Sequence, residues 1–333
     1  MIYQGQFRLF NAGILALGFL CFFSNKLEAQ ERRYTFERGL MGSPFKLIIY
    51  APGDSIANAA ANSAFKRIED LNAALSDYRD DSEINSVSAR SGSKDWIPVS
   101  KDLFDILYIS NDISKKTKGA FDATLGPIVQ EWRRATRKGY FPDKKLIAAA
   151  LAKTGYKKIE FNEDSHKIKL NTKGMRLDIG GLGKGYAADE AVKVLQSYGI
   201  TSAMIDAGGK LALMNPPPGE KGWKIVISTG SDSIRTIEYA NVGIATSGPT
   251  YRYLEYKGKR YSHIVDPKTG IGLQFHLRTT VISPNATEAD ALATAFSVSG
   301  INEGKKYLKL FPDNKVWLVE MKGDKISSWN TIE

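Results

Sequence analysis

The chain has 333 residues, 43% of them hydrophobic and 25% charged, enough for a full core in one large domain or two small ones. Its formal net charge is +10, but the lysines are scattered rather than clustered, which argues against a nucleic-acid patch and for anionic substrates or a membrane surface as partners. Cys21 is the single cysteine, which excludes a disulfide framework.

The N-terminus reads as a secretory leader outside the core. Arg8 supplies a sparse positive region, Ile14 to Phe23 is an apolar run of ten residues, too short to span a bilayer, and Leu27-Glu28-Ala29 offers a small residue for cleavage. A retained membrane anchor is the alternative. Phe19 and Leu20 stand where a lipid-anchored chain wants small residues before its cysteine, so lipidation of Cys21 is the minority option. The expectation is a leader over residues 1–29 and a single domain over 30–333, exported to the periplasm or the outer face of the inner membrane. Cleavage after Ala29 would remove the only cysteine and leave a net charge of about +9.

Phe45 to Tyr50 is a short apolar strand. Ser55 to Ser76 is a helix, because Ala61, Phe65, Ile68, Leu71 and Leu75 recur at spacings of three and four, with Asp54 or Ser55 to cap its start. Asp77 to Asn85 reads as a loop, Leu103 to Thr117 as a second helix, and Lys144 to Thr154 and Ala187 to Tyr198 as further helices. Lys158-Ile159-Glu160-Phe161 and Lys167-Ile168-Lys169-Leu170 flank a turn and predict a hairpin. Strands then dominate: Ala203 to Asp206, Trp223 to Ser228, Thr236 to Tyr239, Val242 to Ala245, and a hairpin turning at Lys257-Gly258-Lys259. A last helix, Thr287 to Val298, precedes strands around Val316 to Met321 and Ile326 to Trp329. Hairpins and partly segregated helices point to an α+β fold, with mixed or antiparallel sheets and flanking helices.

Four stretches could carry chemistry. Lys118 to Pro127 is a loop in which Phe121 could stack on a flat ring and Asp122 could bind that ring's polar edge; an ordinary loop anchored by a buried Phe is the competing reading. Tyr78 has the same ambiguity. Met175 to Tyr186 is the most informative: a strand ends at Asp178, then Gly180, Gly181, Gly183 and Gly185 crowd around Lys184. Such backbone can approach a phosphate closely, although neither the dinucleotide fingerprint nor the P-loop spacing is met. Lys259 to Gly270 is a strand end and turn in which His263 or Asp266 could serve as a base; a histidine that satisfies its own turn is the competing reading, and the one spacing alone favours. In Ala286 to Ala295, Asp290 and Thr294 share one helix face and could hold a hard cation, if a diphosphate supplied further oxygens. The alternative there is a capping box formed by Thr287 and Asp290.

Taken in order, these segments resemble the ApbE-type flavin transferases, the FAD:protein FMN transferase family. The matching residues run from Met41-Gly42-Ser43 through Ser76-x-Tyr78, Ser82-Glu83-Ile84-Asn85, Gly119-Ala120-Phe121-Asp122 and Leu177-Asp178-x-Gly180-Gly181-x-x-Lys184-Gly185-Tyr186-Ala187. They continue with Tyr261-Ser262-His263-Ile264-x-Asp266-Pro267-x-Thr269-Gly270 and Ala289-Asp290-Ala291-Leu292-Ala293-Thr294-Ala295. The resemblance implies an exported, magnesium-dependent enzyme that cleaves FAD and moves FMN onto a Thr or Ser hydroxyl of an acceptor protein, releasing AMP. In the family such acceptors include subunits of membrane-bound redox pumps. The positions matching the family's flavin contacts are Met41, Tyr78, Ala120, Phe121, Asp122, Asp178, Lys184 and Ile264; the metal position falls on the Gly181 carbonyl, Asp290 and Thr294. His263 or Asp266 is the candidate base. The same metal site would suit an FAD pyrophosphatase, and a non-catalytic flavin carrier in the envelope is a third option. Three positions depart from the pattern: Asp206 stands where the family often has Asn, and Lys210, after Gly208-Gly209, stands where it often has an acid. Pro249, after Thr246-Ser247-Gly248, also replaces an acid.

Overall fold

The computed structural model describes residues 31–229, 233–248, 253–274, 276–322 and 325–332; the expected leader lies outside them. In chain order, β1 (Arg32–Leu40) and β2 (Ser43–Ala51) form a hairpin, followed by α1 (Asp54–Leu75), α2 (Glu83–Ala89), the two-residue β3 (Ile97–Pro98) and α3 (Lys101–Lys116). Next come α4 (Gly126–Lys138), α5 (Lys144–Leu151), the hairpin of β4 (Ile159–Asn162) and β5 (Lys167–Leu170), α6 (Gly183–Ser197), β6 (Ala203–Ala207) and β7 (Lys210–Leu213). The chain continues through β8 (Trp223–Ser228), β9 (Ile234–Tyr239), β10 (Val242–Ser247), β11 (Tyr253–Tyr256), β12 (Lys259–Ser262), β13 (His276–Ser283), α7 (Ala286–Leu308), β14 (Lys315–Lys322) and β15 (Lys325–Asn330).

One sheet organises the molecule. Its eight strands run in the order β1-β2-β6-β7-β10-β13-β14-β15, and every neighbouring pair is antiparallel. The α+β expectation is met. Strand alternation sends consecutive side chains to opposite faces. On β2, Phe45, Leu47, Ile49 and Ala51 enter the main core beneath α1, α6 and α7, whereas Ile48 joins a second cluster with Trp223, Ile227 and Ile237 from the β8–β9 hairpin. The sheet is therefore covered by helices on one face and by a hairpin on the other. A third cluster joins α4 and α5 to the β11–β12 hairpin through Ile128, Trp132, Ile147, Leu254, Tyr261 and Val265.

Several expectations change in detail. α1 begins on Gly53 without a side-chain cap; Asp54 instead accepts from Arg32 at 3.0 Å and from the Tyr34 hydroxyl at 2.6 Å, tying the helix to the edge strand. The expected Asp77–Asn85 loop gives way to α2 at Glu83, where the Ser82 hydroxyl caps the Asn85 amide at 3.4 Å. α4 starts at the end of the expected Lys118–Pro127 loop and runs through a stretch to which the sequence reading assigned no element. The last helix runs on past Val298, with Gly300 (φ 69°, ψ 179°) breaking its path. Among the described residues no helix is long and apolar enough to cross a membrane.

Candidate active site

The site forms where α6 starts against α7. Gly185 lies in the first turn of α6, and a Cβ there would sit 2.2 Å from the Ala286 carbonyl oxygen, so only glycine lets the two helices meet this closely. The contact brings Asp290 to α6, where its Oδ2 accepts the Gly185 amide at 3.2 Å; Asp290 is 2% exposed. The capping-box alternative for Asp290 does not hold. Asn285 is the N-cap of α7 and accepts from the Glu288 amide at 2.8 Å, while Asp189 of α6 takes the Ala286 and Thr287 amides at 2.9 and 2.8 Å. The end of α7 is satisfied without Asp290, which leaves that carboxylate facing the glycine-rich segment.

Thr294 follows one turn later on the same face. Its hydroxyl makes only long contacts, 3.4 Å to the Gly181 carbonyl and 3.2 Å to the Asp290 carbonyl. Gly181 has no room for a side chain: a Cβ would lie 2.9 Å from the Phe121 ring edge and 3.3 Å from the Thr294 hydroxyl. A buried carboxylate, a hydroxyl and a backbone carbonyl are thus grouped at one corner. This donor set is all oxygen, as a hard divalent cation such as magnesium requires, and it is sparse enough that substrate oxygens and water must complete the shell. Among the described residues there is no cluster of three or more His, Cys, Asp or Glu side chains suited to a metal. Lys210 closes the corner from the sheet side, its ammonium 3.5 Å from the other Asp290 oxygen and 2.5 Å from the Thr246 carbonyl.

Around the corner stand most of the expected contact residues. Met41 turns the β1–β2 hairpin at φ 48°, and its methyl end lies 3.8 Å from where a Gly183 side chain would begin. Lys184, half-buried in the first turn of α6, has no side-chain partner among the described residues. Asp178 orients the oligoglycine turn: Oδ1 accepts the Gly180 amide at 2.8 Å and Oδ2 accepts Arg133 at 3.0 Å. Arg133 also donates to Asp77, and its guanidinium lies 4.2 Å from the centre of the Tyr78 ring, which is 68% exposed. Burial, then the nearby Asp178 charge, raises the Asp77 carboxyl above its ordinary range despite Arg133. Asn85 clamps this turn by donating to the Asp77 and Arg79 carbonyls at 3.1 and 2.8 Å. A flat ring laid on Tyr78 would therefore rest on an aromatic face backed by a cation.

Ala120 and Phe121 are buried, Phe121 packing on Gly181. Asp122 holds its own loop, accepting the Thr124 amide at 2.8 Å, the Thr124 hydroxyl at 2.6 Å and the Tyr156 amide at 2.9 Å; desolvation raises its carboxyl. His263, Ile264 and Asp266 lie on the loop after β12, which is fastened to α4 where Trp132 donates to the Gly270 carbonyl at 2.8 Å. His263 is exposed and Ile264 half-buried. The Asp266 carboxylate serves its turn, one oxygen accepting the Lys268 amide at 2.8 Å and the other the Thr269 hydroxyl at 3.2 Å. The contacts join Gly181, Asp290, Thr294, Phe121 and, through Arg133, Asp178 and Tyr78; they place His263 and Asp266 on a neighbouring support of the same helix α4. Arg133, which ties Asp77, Asp178 and the Tyr78 ring together, is the residue of this site that sequence reasoning missed. The spacing of Ile128, Trp132 and Ala135, ahead of Gly139, was the available signal for its helix.

The match to a model of the ApbE family extends over residues 41–317. The chain is 31% identical over 264 residues to the FAD:protein FMN transferase of Escherichia coli (strain K12), covering 77% of this chain and 75% of that protein. It is 27% identical over 303 residues to the protein of the same name from Treponema pallidum (strain Nichols), covering 85% and 83%. Its structure resembles the crystal structure of the apo flavinyl transferase ApbE of Pseudomonas stutzeri with a TM-score of 0.80 and 26% identity, over 91% of this chain and 95% of that one. The family match over residues 41–317, the relatives and the likeness of fold agree, and this chain belongs to the ApbE family.

Proposed function

We propose that this protein is an FAD:protein FMN transferase, which moves FMN from FAD to a Thr or Ser hydroxyl of an acceptor protein and releases AMP. The observation that carries the reading is Asp290: buried, relieved of helix capping, and grouped with the Thr294 hydroxyl and the Gly181 carbonyl beside an oligoglycine helix start. Relatives named FAD:protein FMN transferase over most of the chain support it.

Asp290, Thr294 and the Gly181 carbonyl would hold a magnesium ion. When bound, that ion supplies charge neutralisation for the phosphoryl oxygens of FAD and for the departing AMP. The chain's own residues do the rest. Lys184 and the positive end of α6 draw the diphosphate toward the glycine turn. Tyr78, backed by Arg133, presents a face for the flavin ring, and Asp178 fixes the turn that places the Gly181 carbonyl. The acceptor hydroxyl oxygen bonds to the FMN-side phosphorus while that phosphorus releases the bridging oxygen, whose electron pair leaves with AMP. His263 is assigned the hydroxyl proton, because Asp266 commits both oxygens to its own turn. The Ile14 to Phe23 run supports export, so the acceptor is assigned to the cell envelope, a membrane redox-pump subunit being the proposed class.

A single assay tests the reading. The protein is mixed with FAD, magnesium and a Thr-containing acceptor, and the products are separated under denaturing conditions. Flavin fluorescence on the acceptor is the expected result. Free FMN and AMP alone would make the protein a pyrophosphatase, and recovery of all the FAD uncleaved, with no label on the acceptor, would make it a carrier; either would overturn the transferase reading.

A further inference from the structure

Lys210 is the first residue of β7, and alternation along that strand puts it on the same face as Ala212, the face covered by helices. Its register partner on β10 is Ala245, whose small side chain leaves the long lysine room to run toward α7. The residue is 9% exposed. An ammonium at that depth is tolerated only when paired. Its partners are the Thr246 carbonyl at 2.5 Å and Asp290 Oδ1 at 3.5 Å. Asp290 Oδ2 is taken by the Gly185 amide. Both oxygens of the carboxylate assigned to the metal thus have a partner before any ion arrives, and one of those partners is itself a cation.

We propose that Lys210 is a resident cation of the diphosphate seat, sharing Asp290 with the divalent ion and opposing its binding. The proposal rests on the assignment of Asp290 to the metal made above. Asp290 and Lys210 cancel in charge, so the empty corner attracts a divalent ion weakly, and an ion that does enter meets a positive neighbour in a desolvated setting. An ammonium has three donors. One goes to the Thr246 carbonyl, Asp290 is held as an ion pair at 3.5 Å, and the ammonium keeps donor capacity for an anionic oxygen. A diphosphate supplies the negative charge that reconciles the two cations. The ion is therefore held well only together with nucleotide, and Lys210 is a positioning residue that couples the two.

The test measures binding of Mn2+ alone, as a paramagnetic probe, to the whole protein without nucleotide, using the loss of the free-ion resonance. Lys210→Gln and Lys210→Met are both made, so that loss of the Thr246 contact in one does not decide the matter, and cooperative melting is checked for each. Both neutral variants are expected to bind Mn2+ more tightly than the wild type by about tenfold or more. Lys210→Arg, which keeps the charge, is expected to bind as weakly as the wild type. Asp290→Asn is expected to abolish the gain when combined with either neutral variant. Equal or weaker binding in both neutral variants, with the residual affinity still dependent on Asp290, would overturn the role of Lys210 and leave the metal assignment standing. Mn2+ binding that ignores Asp290→Asn in every background would overturn the metal assignment and the Lys210 proposal with it.

Discussion

Two carboxylates flank the oligoglycine turn, and their partners separate their tasks. Asp178 is balanced by Arg133 and spends its other oxygen on the Gly180 amide, so it shapes the turn. Asp290 is buried between the Gly185 amide of α6 and the Lys210 ammonium, one helical turn from Thr294. Tyr78 differs from both, being mostly exposed with only Arg133 behind its ring. Tyr78→Ala is expected to weaken FAD binding by about tenfold, the order of a cation-backed stacking contact, as measured by flavin fluorescence quenching; unchanged affinity would show that the flavin lies elsewhere. Asp122 makes a pH prediction. Burial raises its carboxyl above the ordinary 3.8, so the folded protein keeps this proton where the unfolded chain has lost it. The stability linked to that proton is complete below 3.8 and is lost as pH rises through the folded value. Urea titrations should therefore show the wild type losing stability relative to Asp122→Asn as pH rises from below 3.8 toward neutrality; a relative gain would contradict the burial argument. At this scale the spacing of Asp290 and Thr294 offered a cation site and a helix cap equally, and Asp178 stood only at a strand end; the family resemblance decided between the readings. Arg133 escaped both, because its value comes from Asp77 and Asp178, which are distant in the chain.

Helix α6 begins at Gly183, ahead of the expected Ala187, and the physical reason is tertiary. Gly183 and Gly185 have poor helix propensity, but the close approach of α7 and the Asp290 carboxylate stabilise the extra turn. Gly185→Ala should push α6 and α7 apart. Its Cβ would meet the Ala286 carbonyl at 2.2 Å, and a loss of about 3 kcal/mol in unfolding free energy is expected by chemical denaturation, with FAD binding impaired in parallel. A variant as stable as the wild type would show that the helix junction yields easily. Helix α4 escaped for a different reason: its N-cap, Leu125, offers no side-chain hydrogen bond, so only Pro127 in its first turn, the spacing of Ile128, Trp132 and Ala135, and Gly139 at its end mark it. Strand β1 was missed because an edge strand exposed along most of its length reads as a charged segment rather than an alternating one. The hairpin of β4 and β5 was legible because a short polar turn separates two segments that alternate charged and apolar residues.

At the scale of the molecule, hairpins and segregated helices announced the α+β class, but the strand order could not be read. β10 sits between β7 and β13, and β2 pairs with β6 across a long stretch of chain; neither neighbour is set by local pattern. That order matters for function, because it places Lys210 of β7 under the α7 helix that bears Asp290. The corner is thus assembled from a strand, a glycine-rich helix start and a second helix, and its claim to activity rests on a cation held there against the nucleotide diphosphate. The most direct measurement is the rate of covalent flavin appearance on a Thr-containing acceptor, with FAD and magnesium, for the wild type and for Asp290→Asn, a variant that keeps an acceptor for the Gly185 amide. Labelling by the wild type, with a fall of about a hundredfold or more in the variant at unchanged melting behaviour, is the result predicted. Labelling at the wild-type rate by Asp290→Asn would contradict it.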